Sequence, residues 1–116
     1  MEIKLFYILN EHGEPKQEPD FLKWGMWMAD AKRDVSFDSE VGGYAVSTVF
    51  LGIDQSGGVG IPLLWETMVF GDGDLNLAQD RCGGSREQAE AMHAAMVQRV
   101  CRHTNTELPA MTKSSG

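Results

Sequence analysis

The sequence predicts an α+β domain of two layers, a mainly antiparallel β-sheet with two helices on one face, in the order β-α-β-β-β-α. Three observations carry this. Residues 3–9, 44–53 and 63–70 are apolar segments of strand length, rich in β-branched and aromatic side chains. Residues 20–34 and 86–103 instead repeat apolar side chains at helical spacing. After the first helical stretch, the strands are joined by glycine-rich connections with no helix between them, which favours hairpins over parallel crossovers.

The first strand, 3–9, stops at the turn-type cluster Asn10-Glu11-His12-Gly13, and its place at the centre or edge of the sheet is open. Pro15 and Pro19 keep residues 14–19 extended, because each disfavours helix in the residue before it. Asp20 offers an N-cap to a helix over 20–34 with an apolar stripe at Phe21, Trp24, Met28 and Ala31. Lys32 and Arg33 suit its C-terminal dipole, and Gly25, at a cost of about 1 kcal/mol relative to alanine, suits close packing on the sheet.

Residues 44–53 form the strongest strand. Ser47 and Thr48 interrupt an otherwise apolar run, so both of its faces are expected to be at least partly covered. A flexible connection over 54–62 leads to the strand 63–70, a Gly71-Asp72-Gly73-Asp74 turn and a weaker strand over 75–82. Ser85-Arg86-Glu87-Gln88 reads as a capping box opening a last helix over 86–103, with a stripe at Ala89, Met92, His93, Met96 and Val100. Residues 1–103 then make one domain, and 104–116, with Pro109 and a Lys-Ser-Ser-Gly end, a flexible tail.

A chain of 116 residues with 42% hydrophobic content can bury a core of its own and has no room for a second domain. Its net charge of −7 excludes a nonspecific grip on nucleic acid and attraction to an anionic membrane surface. The acid is concentrated. Residues 1–40 hold five bases against nine acids, and 41–84 hold Arg81 alone against five. Residues 85–116 are mildly basic. Such a body serves solubility or, on a sharper reading, attraction to a basic partner protein. No apolar run approaches the roughly 20 residues of a membrane span. The N-terminal Met-Glu-Ile-Lys has neither the basic region nor the cleavage site of a signal peptide. Cys82 and Cys101 are too few to imply a disulfide framework, and a cytoplasmic protein with reduced thiols is expected.

No motif specifies an activity. Gly57, Gly58 and Gly60 follow a strand, as phosphate loops do, but no Gly-Lys-Ser/Thr ending and no following helix accompany them. They read as a hairpin loop or, with Asp54 and Gln55, as a ligand-facing flap. Glu66 is a carboxylate inside an apolar strand, placed by alternation with Leu64, Met68 and Phe70. It needs a partner, and Arg81 is the one base in the neighbouring segment. Trp65 is a core residue or, if exposed, an interface marker. His93 is a core-edge histidine bonded to the sheet or an acid–base group. Cys82, His93, Cys101 and His103 match no zinc spacing. Asp72, Asp74 and Asn76 begin like a calcium loop, but Leu77 and Gly83 stand where it requires glycine and glutamate. No catalytic set, metal site or cofactor is expected.

The runs Val46-Ser47-Thr48-Val49-Phe50-Leu51-Gly52-Ile53-Asp54 and Pro62-Leu63-Leu64-Trp65-Glu66-Thr67-Met68-Val69-Phe70-Gly71, followed by Asp80-Arg81, Ser85, Ala89 and His93, resemble a family of small uncharacterised proteins of tailed bacteriophages and prophages. The likeness spans roughly residues 3–101. Where such relatives often carry a histidine after the Leu-Gly-Xaa-Asp run, this chain has Gln55, which weakens the case for a metal or acid–base role at that corner. The resemblance implies a phage or prophage origin and no activity. The leading expectation is an accessory or host-takeover protein that binds a host or defence component, such as an anti-CRISPR-type inhibitor in an anti-defence role. The alternative is a small-ligand binder, a sponge for a nucleotide signal, using Asp54, Gln55, Gly57, Gly58, Gly60, Glu66 and Arg81. A small enzyme using Glu66 or His93 ranks third. The first helix, with Trp24, Met26, Trp27 and Met28, is apolar nearly all round, so a homodimer covering part of it is expected.

Overall fold

A computed structural model describes residues 5–106. Its elements are β1 (Tyr7–Leu9), β2 (Pro15–Gln17), α1 (Phe21–Asp30), β3 (Asp34–Val41), β4 (Tyr44–Phe50), β5 (Trp65–Phe70), β6 (Gln79–Cys82) and α2 (Arg86–Thr104). The fold is α+β, as the two periodicities predict. The main sheet is an antiparallel meander, β3-β4-β5-β6, and β1 and β2 form a separate two-stranded sheet. That hairpin is tied to the main body by a bridge between Phe6 and Ile53 and by hydrogen bonds from Tyr7 N to the Gly52 carbonyl and from Asp54 N to the Leu5 carbonyl.

Two strands depart from the expected order, and the first strand lies outside the main sheet. The segment before α1, expected to be merely extended, pairs as β2 with β1. The larger departure is β3. Helix α1 is capped as expected by Asp20, whose carboxylate accepts from the N–H groups of Leu22 and Lys23, but it ends at Asp30 rather than at 34. Arg33, expected to serve the helix C-terminus, belongs to the sheet: its carbonyl accepts from Phe50 N at 2.8 Å and its guanidinium donates to the Phe50 carbonyl at 3.1 Å. Ladder pairing along β3 outweighs the local helix preference of Ala31, Lys32 and Arg33. Register irregularities between Asp34 and Ser36 and between Asp38 and Val41 break the two-residue alternation of β3, which removes its sequence signal.

One face of the main sheet carries the core. Val46, Phe50, Trp65 and Val69 pack against Ala89, Met92, Met96, Val97 and Val100, all on the stripe of α2. The capping box forms: Ser85 Oγ accepts from Gln88 N at 3.2 Å, and Gln88 Oε1 accepts from Ser85 N at 3.0 Å. At the other end Asn105 takes the left-handed conformation and closes the helix. Thr104 therefore belongs to α2 rather than to a tail. Of the expected tail, residues 107–116 lie outside the described residues, as do residues 3 and 4 of the expected first strand.

Helix α1 docks on the same side through Trp27, whose ring meets Phe50 edge-on, and through Trp24, whose indole donates to the Gly52 carbonyl at 2.9 Å. Gly52 has φ +76°, and a Cβ there would run into the Met28 sulfur, so this corner admits glycine alone. Gly25, by contrast, contacts nothing and faces open space, so the expectation that it packs on the sheet is corrected. Among the described residues no helix is long and apolar enough to cross a membrane.

Candidate functional site

Both helices lie on the inner side of the sheet, so no helix covers its outer face. The outer residues of β4, Ala45, Ser47 and Val49, are half-buried, in keeping with the expectation that both faces of this strand are at least partly covered. Cross-strand pairing fixes what the outer face presents. One row runs Asp34, Val49, Glu66, Arg81 across the four strands, and the next runs Phe37, Ser47, Met68, Gln79. Phe70 stands beside Ala45 beyond them. Side chains paired this way sit about 5 Å apart, so the rows form a continuous surface. Its two aromatic rings are open, Phe37 at 61% and Phe70 at 44% exposure.

The pair inferred from charge placement forms within this surface. Arg81 Nε donates to Glu66 Oε2 at 2.8 Å, with the two residues directly opposite on β5 and β6. Glu66 shares its face with Met68 and Phe70, as alternation predicts. Leu64, which precedes the strand, is instead buried in the core beside Trp65.

The 54–62 connection is organised by Asp54. Its carboxylate accepts from Ser56 N at 2.8 Å and from Leu63 N at 2.9 Å, which clamps both ends of the loop. Burial acts to raise this carboxyl. The Ser56 hydroxyl and the N–H groups of Leu63, Ser56 and Gly58 outweigh it and hold the group below the usual aspartate value. Asp54 is thus 4% exposed and turned inward, while Gln55, Gly57, Gly58 and Gly60 are exposed on the loop surface. Because the folded-state value is depressed, the clamp contributes fully above the unfolded aspartate value of about 4 and is lost as pH falls through the folded one. Asp54→Ala at neutral pH, or strong acid on the native chain, is expected to lower the hydrogen-exchange protection factors of Leu63 N and Ser56 N selectively. Unchanged exchange in the variant would show that the clamp does not hold the loop.

Trp65 is core, 0% exposed, with its indole donating to the Gly84 carbonyl at 3.0 Å. His93 is 3% exposed and lies on the inner face, so it and Glu66 are on opposite sides of the sheet and share no site. Its ring joins residues that sequence reasoning did not single out. Nε2 stands 2.7 Å from Asp38 Oδ2, Nδ1 stands 2.7 Å from Thr48 Oγ1, and Thr48 Oγ1 stands 2.5 Å from Thr67 Oγ1. Where Nε2–H faces the Asp38 carboxylate and Nδ1 carries no proton, Thr48 donates to Nδ1 and Thr67 to Thr48; a proton on Nδ1 reverses both threonine bonds. An acid, an imidazole and a hydroxyl in this order can activate a nucleophile. Here Thr48 and Thr67 are both fully buried beneath α2, so no substrate reaches the hydroxyl. The sequence signal for the threonines was the polar interruption of apolar strands at Thr48 and Thr67, which pair directly across β4 and β5.

Burial pushes both cysteine thiols up, with the charge of Asp80 adding to this at Cys82 and that of Asp38 at Cys101, so neither carries an activated thiolate. Among the described residues no group of three or more histidine, cysteine or acidic side chains is placed to hold a metal ion. Known protein families, curated proteins and solved structures contain no match to the chain.

Proposed function

We propose that the protein acts by binding rather than by catalysis, as a phage accessory or host-takeover protein that occupies a host protein in an anti-defence role. The observation that carries this is the uncovered outer face of the main sheet, with Phe37 and Phe70 exposed on it. Aromatic side chains in an apolar patch with a polar rim are what protein interfaces use as anchors. Asp34 lies in the outer-face rows, and Asp72 and Asp74 follow β5, in a chain of net charge −7. This favours a basic surface on the partner. The reading includes action in the cytoplasm of the host cell and a homodimeric state. The nucleotide-sponge alternative draws less support, because Asp54 is spent on its own loop and Glu66 on Arg81.

The test is affinity capture from host lysate with the native chain and with Phe37→Asp. Phe37 is exposed at an edge strand, so the variant is expected to fold. A basic protein retained by the native chain and lost with Phe37→Asp supports the reading. Equal capture by both chains, or none by either, overturns it.

A further inference from the structure

Helix α1 carries two apolar stripes, and the fold uses one. Trp24, Trp27 and Met28 face Gly52 and Phe50. On the opposite side Leu22, Gly25, Met26 and Ala29 fall at i, i+3, i+4 and i+7, the spacing of a helix-packing seam. Leu22 is 73% exposed and Met26 76%, and Gly25 between them faces open space, which lets another backbone approach closely. We infer that this second stripe pairs with the same stripe of a second copy of the chain, the two α1 helices running antiparallel about a twofold axis level with Met26 and Trp27.

Charge selects this occupant. The first turn of α1 holds Lys23 and no acid, and the last turn holds Asp30 and no base. Both charges oppose the helix dipole, an arrangement that disfavours a solitary helix. At 100° per residue Lys23 and Asp30 lie on the same flank of the Leu22–Met26 stripe. An antiparallel twofold preserves the flank and reverses the direction. Lys23 then meets the partner's Asp30, its symmetry mate forms the same pair, and the two dipoles run antiparallel. A parallel twofold exchanges the flanks and keeps the heights, so Lys23 and the partner's Asp30 never meet.

The pairing rests on the homodimer part of the proposed function and is independent of the outer sheet face. Sedimentation velocity over a concentration series tests it. The native chain is expected to reach twice its 12.8 kDa mass, and Met26→Glu to remain at 12.8 kDa with an unchanged far-UV spectrum. Lys23→Asp is expected to weaken the dimer about fivefold, and the exchange Lys23→Asp with Asp30→Lys to restore it. A native chain that stays monomeric throughout overturns the inference. So does a dimer that survives both Met26→Glu and Leu22→Glu, or a charge exchange that fails to restore association. Phe37→Asp is expected to leave the dimer intact, so loss of host capture and loss of self-association are separate results.

Discussion

Trp65→Ala is expected to destabilise the protein by about 4 kcal/mol, the range for removing a fully buried large aromatic side chain. A chain of 116 residues has a total stability on the order of 10 kcal/mol, so this single change removes a large share of it. The indole is 0% exposed, and its ring meets Phe50 at 4.9 Å between centroids and 61° between planes. Its N–H is spent on the Gly84 carbonyl, just ahead of the N-cap of α2. The loss therefore combines lost transfer energy, a cavity between β4, β5 and α2, and an unpaired carbonyl at the start of the helix. Trp65→Phe keeps most of the volume and loses the hydrogen bond, and is expected to cost about half as much. Urea unfolding followed by circular dichroism checks both. A cost near 1 kcal/mol for Trp65→Ala would mean that the site collapses around the smaller side chain.

The elements legible in the sequence are those whose signals are local. The capping box at Ser85 and Gln88, the N-cap at Asp20, the α2 stripe and the apolar runs of β4 and β5 are each set by side chains within a few residues of one another. What was not legible depends on pairing at a distance. The β3 segment has irregular register, so its alternation is broken, and its acids Asp34, Asp38 and Glu40 are of types depleted in strands. An edge strand with charges and irregular pairing also resists adding a further strand, so the features that hide β3 in sequence suit its position in the sheet.

The same division runs through the candidate site. Glu66 and Arg81 could be paired from the sequence because Arg81 is the one base between residues 34 and 85. The outer face could not be recognised, because an apolar run such as β4 does not say which of its faces a helix will cover. Phe37 contributes the most exposed ring of that face from a strand the sequence did not announce. The buried histidine network was hidden for the same reason: its acid, Asp38, comes from β3. A helix residue, an edge-strand acid and two threonines from central strands meet only once the sheet and α2 are assembled.

That assembly makes His93→Ala the second large effect, with an expected cost of about 3 kcal/mol. The imidazole joins α2 to three adjacent strands at once, reaching Asp38 on β3 and Thr48 on β4, with Thr67 on β5 one step further. Deleting it leaves the Thr48 hydroxyl, at 0% exposure, without its imidazole partner, and the Asp38 carboxylate, at 17%, without its donor, beside a ring-sized void. Thr67→Val removes only the outermost hydroxyl of the chain and is expected to cost about 1 kcal/mol. If the network acts as a unit, the losses are not additive. Once His93 is gone, Thr48 has lost its onward partner, so Thr67→Val costs less in the His93→Ala background than alone. Urea unfolding of the two single variants and the double variant measures this coupling. Additive losses would mean that the imidazole and the threonine pair stabilise the interface separately. A cost for His93→Ala near that of Thr67→Val would mean that water replaces the ring and that α2 is held by its apolar stripe alone.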